Sequence, residues 1–185
     1  MPQRGVKRRG SRKQLGRLSW MSELFGRERV QRAADQLGVS IDFTPRGQAS
    51  SLEEAAANLG IEPREIVKTL VAKAKLTQTA TEHSYIIALI PGDKQVDWSK
   101  LRKLAGMKKL SMAAPEDGFA ATGYCPGTIT PFGATSDDGA QVPVYADESI
   151  TGRISMGAGE PGLSLFVDAQ DLISAYRIVT ADICR

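Results

Sequence analysis

Two stretches hold most of the chemistry this sequence could perform: Lys68, inside the apolar run EIVKTLVAK, and the segment TGYCPGTITPFG at 122–133. With Val67 and Leu70 beside it, Lys68 has an ordinary reading as the solvent-facing member of an alternating strand. The second stretch mixes Gly, Pro, Thr and aromatic residues without a helical or alternating period, which predicts a loop of demanding backbone geometry over 118–133. Loops of that kind often bear function, and are more often only turns. His83, the single histidine, lies in the polar connector 77–84 and reads as a solvated loop side chain, so a histidine-based triad is not expected. There is no G-x-x-x-x-G-K-[ST], no G-x-G-x-x-G after a strand, no H-E-x-x-H and no G-x-S-x-G. The enzyme classes that depend on those signatures lose ground.

These residues need a scaffold, and 185 residues with 42% hydrophobic content can bury one core without a disulfide or metal staple. Cys125 and Cys184 lie far apart with no C-x-x-C spacing, so neither a disulfide framework nor a thiolate metal site is suggested, and a reducing cytoplasm fits. The greasiest run, 85–91, is broken by Gly92 and Asp93, far short of the roughly 20 apolar residues of a membrane span. Arg4, Lys7, Arg8, Arg9, Arg12, Lys13 and Arg17 stand among the first twenty residues with no acid and no apolar stretch, which disfavours a secretory signal. The expectation is a disordered basic arm at 1–20 and one domain at 21–185. Taking those seven charges from the formal +3 leaves about −4, so the basicity resides in the arm. Three readings of the arm stand: an electrostatic handle for RNA, an Arg-rich targeting peptide, or an upstream start with Met21 as initiator. The last is favoured because MSELFGRERVQRAADQLG opens directly into a helix.

Helical spacing of Val30, Ala33, Ala34 and Leu37 predicts a first amphipathic helix between Gly26 and Gly38, followed by an extended piece at 41–43. Ser51 with Glu54 forms a capping box for a helix over 51–59, and Gly60 is its stop. Pro63 starts a short turn, 66–74 and 85–90 read as partner strands, and Asp97 caps a helix over 98–105. Short strands are expected at 110–112, 142–146, 153–155 and 163–167, with Asp168 capping a last helix toward Tyr176. This order predicts a mixed α/β sheet rather than a regular doubly wound fold.

Five stretches occur together and in order: LGIEPREIVKTLV (59–71), IALIPGDKQVDWSKLRKLAGMKKLSMA (87–113), ATGYCPGTITPFG (121–133), PVYAD (143–147) and GLSLFVDAQDL (162–172). In this the chain resembles the YbaK/EbsC family across nearly all of 30–185. The resemblance implies a single domain in which a mixed, mostly antiparallel, curved and barrel-like sheet is surrounded by helices. It implies a hydrolase, an aminoacyl-tRNA deacylase that acts in trans on mischarged tRNA. Cysteine or alanine on the proline acceptor, or a related small amino acid, would be released. Aminoacyl-tRNA is then the substrate, prolyl-tRNA synthetase a candidate partner, and no metal or other cofactor is implied. The stretch IDFTPRGQASS lacks the aromatic and histidine-rich segment of some cysteine-editing members, which leaves the amino acid and the tRNA open.

The resemblance also assigns roles. The family's carbonyl-holding glycine maps onto Gly127, with Pro131 closing its G-x-x-x-P, and the family's lysine onto Lys68, where an ammonium would hold a phosphate or polar group of the terminal nucleotide. Thr69, Tyr124, Asp147 and Gly157 follow as pocket residues, beside the plainer readings of turn geometry for the glycine, a cap for Asp147 and packing for Tyr124. A reading from another class stands against the enzyme: a non-catalytic tRNA or aminoacyl-ligand binding module that works by sequestration or by docking on a synthetase.

Overall fold

A computed structural model describes residues 26–136 and 139–185; the basic arm at 1–20 and Met21 lie outside the described residues. The elements run α1 (Gly26–Leu37), β1 (Ile41–Pro45), α2 (Leu52–Leu59), a 3-10 turn (Pro63–Glu65), β2 (Val67–Lys75), β3 (Ser84–Pro91) and α3 (Trp98–Leu104). They continue with β4 (Lys109–Met112), α4 (Pro115–Thr122), β5 (Val144–Asp147), β6 (Arg153–Gly157), β7 (Leu163–Asp168), α5 (Ala169–Tyr176) and β8 (Val179–Ala181). Helix ends follow local chemistry. Ser51 Oγ accepts from Glu54 N at 3.1 Å, and Gly60 leaves α2 in the left-handed region at φ 68°. The Glu54 carboxylate reaches back to Ser50, accepting from its N and Oγ at 2.7 Å, so the reciprocal half of the expected box is displaced by one residue. Asp97 accepts from Ser99 N and Lys100 N in the first turn of α3, and Asp168 from Gln170 N and Asp171 N in that of α5.

The strands form two sheets. One is antiparallel throughout, in the order β1-β7-β6; the other runs β4-β2-β3-β5-β8, antiparallel from β4 to β3 and parallel from β3 to β8. The mixed α/β, mostly antiparallel expectation holds, but the strands divide between two open sheets rather than closing. Outside the named strands, a bridge between Ile66 and Ser155 links the two. Between them lies the main core, where Val67, Val71, Ile87 and Leu89 meet Ile154, Met156, Leu165 and Val167. The other face of the larger sheet, Ala72, Ile86, Ala88 and Ile90, packs under Leu101 of α3 with Val96 and Ile183. β3 is thus covered on both sides, which is why SYIIALIP reads as a continuous apolar run.

The loop expected over 118–133 begins later than its composition suggests. Pro115 occupies the first position of α4, where its fixed φ suits a helix and its missing N–H costs nothing. Gly118 is buried within the helix, facing Val71, and Gly123 at φ 72° ends it. Packing against β2 has overridden the helix-breaking composition.

Candidate active site

β4 accompanies β2 only from Ala72 onward, so the edge of β2 before that point is open toward the smaller sheet. A pocket of about 360 Å³ occupies the opening. It brings together Lys68 and Thr69 of β2, Gly127 of the loop after α4, and Gly157 at the end of β6. These four lie 89 residues apart at the extremes of the sequence they span, and only the apposition of the two sheets joins them.

Lys68 Nζ donates to the carbonyl of Gly92 at 2.9 Å and to that of Lys94. An ammonium has three N–H groups, so one remains for a ligand. The turn that receives it approaches the 3-10 turn so closely that a Cβ on Gly92 would stand 2.4 Å from the Pro63 carbonyl oxygen. Glycine is therefore the residue that lets this turn reach Lys68. Thr69 lines the same pocket, and its Oγ1 is buried with no hydrogen-bond partner among the described residues. A hydroxyl left so is costly, on the order of 1–3 kcal/mol, unless a ligand completes it.

Cys125 to Thr128 form a tight turn in which Thr128 N and Oγ1 both donate to the Cys125 carbonyl, at 3.1 and 2.8 Å. Pro126 and Gly127 are its central residues, and Gly127 has φ 81°, the conformation a type II turn demands at that place. The Gly127 N–H makes no hydrogen bond among the described residues, and Gly127 lines the pocket, so a free amide donor stands at the pocket wall. A Cβ on Gly127 would meet nothing within 4 Å, so φ rather than space selects glycine here. Gly157 obeys the opposite rule: a Cβ there would stand 2.6 Å from the Ile129 carbonyl oxygen, and the loop rests directly on the β6 backbone. Gly159 N donates to the Thr128 carbonyl at 2.8 Å and pins the loop against β6.

Tyr124, Pro131 and Asp147 stand outside the pocket lining. Tyr124 closes its own loop, its buried hydroxyl donating to the Phe132 carbonyl at 2.7 Å beneath the Arg29 guanidinium, and burial pushes its pKa up to about 12. Pro131 is buried and its carbonyl accepts from Ala134 N. Asp147, 1% exposed, works behind the Lys68 turn: it accepts from Lys94 Nζ at 3.2 Å, from Ser149 N and from Ile183 N. Burial opposes its charge, but hydrogen bonds from Ser149, Cys184, Lys94 and Ile183 outweigh that and bring its pKa down to about 2. Depression below the ordinary value stabilises the fold above about pH 4, and that contribution disappears as pH falls through about 2. Asp147→Asn is accordingly expected to lower stability at neutral pH by on the order of 1–3 kcal/mol through weakened acceptors. It should also flatten the loss of stability between about pH 4 and 2. Urea midpoints across that range check both, and an acid limb as steep as in the wild type would contradict the assignment.

Sequence patterns did not point to Arg46, Ser155 or Ser164, which also line the pocket. Ser155 and Ser164 are buried polar residues on β6 and β7. Each is a polar interruption in a short apolar strand, a sign that strand periodicity alone reads as an outward-facing position. His83 is exposed, its Nε2 3.0 Å from Tyr85 Oη, away from this pocket. Among the described residues no group of three or more His, Cys, Asp or Glu gathers in a way that could hold a metal ion.

Comparison with known proteins places these features in context. The model of the aminoacyl-tRNA editing domain family matches residues 46–175, which include the whole pocket. EbsC of Enterococcus faecalis, provisionally named a Cys-tRNA(Pro)/Cys-tRNA(Cys) deacylase, is 33% identical over 126 residues, 67% of this chain and 71% of that protein. The proline–tRNA ligase of Limosilactobacillus fermentum is 31% identical over 126 residues, 67% of this chain, and the match spans 21% of the ligase. A crystal structure of a provisionally identified trans-editing enzyme for prolyl tRNA synthetase shares the fold at TM-score 0.72 and 24% identity, covering 85% of this chain and 96% of that one. With the match extending over more than half of its length, the chain belongs to the aminoacyl-tRNA editing domain family, of the YbaK/EbsC type.

Proposed function

We propose that this protein hydrolyses the ester of a mischarged aminoacyl-tRNA, releasing a small amino acid and a tRNA with a free terminal hydroxyl. The observation that carries the reading is the meeting, in one pocket, of a bare backbone amide at Gly127, an ammonium with a donor to spare at Lys68, and an unsatisfied hydroxyl at Thr69. Ester hydrolysis builds negative charge on the carbonyl oxygen, and a fixed amide donor stabilises that charge more than it stabilises the ground state. Gly127 N–H takes that oxygen. Lys68 holds a phosphate or ribose oxygen of the terminal nucleotide and so orients the ester. The substrate's own ribose hydroxyl activates the attacking water, whose proton passes to the departing ribose oxygen as the ester bond breaks. The name of EbsC mentions cysteine on the proline and cysteine acceptors and the other relative is a proline–tRNA ligase, so the proline acceptor is the first tRNA to examine.

The test follows release of labelled amino acid from tRNAs carrying alanine, cysteine or serine. Turnover of at least one is expected; binding of all of them with the esters intact would instead favour a module that sequesters charged tRNA. Thr69→Val removes the orphaned hydroxyl while keeping shape. It is expected to raise stability by about 1 kcal/mol and to lower turnover or raise KM, because the cost of the unpaired group is recovered only in the complex. Thermal unfolding and steady-state kinetics on the same preparation check the opposite signs.

A further inference from the structure

We infer that the end of β2 remote from the pocket, together with α3 and β4, forms a docking surface for the phosphate backbone of RNA. That the RNA is the tRNA substrate rests on the deacylase reading. The segment 98–115 contains Lys100, Arg102, Lys103, Lys108 and Lys109 and no Asp or Glu. Lys100, Arg102, Lys103 and Lys108 line a groove of about 490 Å³ between α3 and the turn that follows it. At the edge of the sheet the β2–β4 ladder sets Lys109 directly opposite Lys75, on the face away from α3 where Lys73 meets Asp117. Like charges facing each other across a ladder are destabilising, and an anion laid over them removes the penalty.

Elsewhere among the described residues four cations are ion-paired: Arg64 with Glu62, Lys73 with Asp117, Lys94 with Asp147 and Arg153 with Asp42. In this patch only Lys100 is paired, with Asp182 at 2.7 Å. The side chains of Arg102, Lys103, Lys108, Lys109 and Lys75 have no ion-pair or hydrogen-bond partner among the described residues. Arg102 and Lys103 also offset the negative end of the α3 dipole, a duty that does not extend to the three other lysines. The residues beyond the first twenty carry a net charge of about −4, so this cluster stands against the charge of its own domain. Unpaired cations concentrated in that way are the electrostatic footprint of a polyanion.

β2 also fixes the spacing. Six residues separate Thr69 in the pocket from Lys75, which at about 3.3 Å per residue is about 20 Å. On this inference a strand whose terminal nucleotide enters the pocket and runs along β2 brings phosphates to Lys75 within a few nucleotides. The groove itself offers one apolar side chain, Met107, while Leu76 after β2 and Met112 at the end of β4 are exposed, so anionic lipid is the competing occupant in the test.

The experiment compares the full chain with R102Q/K103Q/K108Q/K109Q and with the charge-preserving K103R/K108R/K109R. The probe is uncharged tRNA, bound over a range of salt. The glutamine variant is expected to bind roughly tenfold or more weakly at physiological salt, with a slope of log K against log salt shallower by about 0.9 for each phosphate it no longer neutralises. The arginine variant should keep both values. With aminoacyl-tRNA, KM should rise while turnover of an aminoacyl ester of a short oligonucleotide is unchanged. Wild-type affinity and slope in a folded glutamine variant would overturn the inference, as would loss of binding to anionic lipid vesicles with tRNA binding intact. If the wild type cleaves no ester, the deacylase reading fails, and the salt slopes still decide the docking surface.

Discussion

Replacing Lys68 by alanine is expected to reduce amino acid release from a mischarged tRNA by about a hundredfold or more, with the protein still folded. The ammonium is held against the Gly92 and Lys94 carbonyls, and only its remaining N–H is left for substrate. Deleting it removes the one positive charge that the pocket takes from β2 and leaves two carbonyls facing the place where phosphate or ribose would lie. The fold should lose little, about the 1–2 kcal/mol of two part-buried hydrogen bonds, which thermal unfolding measures directly. Lys68→Arg separates charge from position: the longer planar fork cannot fit between the same two carbonyls, so it should restore binding better than turnover. Turnover close to wild type in Lys68→Ala would remove the lysine from the mechanism.

The amide of Gly127 is expected to matter equally. Its φ of 81° complicates the obvious variants, because proline cannot adopt that angle and would rebuild the whole turn. Incorporating an α-hydroxy acid at position 127 replaces N–H by oxygen and leaves the backbone path intact. Loss of a single carbonyl-stabilising donor is worth about a hundredfold to a thousandfold in kcat, with KM little changed, since the interaction strengthens only as charge develops. Gly127→Ala is the counterpart. A Cβ there enters open space and the N–H survives, so the cost is backbone strain of on the order of 1 kcal/mol, and most activity should persist. If the ester-backbone protein turns over normally, the oxyanion is stabilised elsewhere.

Much of the scaffold was legible in the sequence because its signals are local. Ser51, Gly60, Asp97 and Asp168 cap or end their helices where short-range chemistry puts them, and the pairing of β2 with β3 follows from two apolar runs around a polar connector. α4 was hidden because Gly118 and Gly123 read as loop, and its helicity comes from burial against Val71. β8 is three residues long and exists through its parallel pairing with β5. The site divides in the same way. Lys68, Thr69, Gly127 and Gly157 were reached through resemblance to a family, since one strand lysine or one glycine has no local mark of function. Ser155 and Ser164 were not reached, because a pocket between two sheets depends on which strand ends come to face one another. Asp147 shows a further limit: it stands outside the pocket and is joined to Lys68 through Lys94 and a turn, a connection that no spacing encodes.

The single bridge from Ile66 to Ser155 gives the pocket one more property. Its walls belong to two separate hydrogen-bonded sheets that share a core, and among the described residues one bridge joins them at the rim. On the deacylase reading, the width between the two walls is expected to bear on which small amino acid enters, together with the atoms that line them. A substitution at the seam, at Ile66 or Ser155 on the pocket wall, is then expected to change which side chain is admitted.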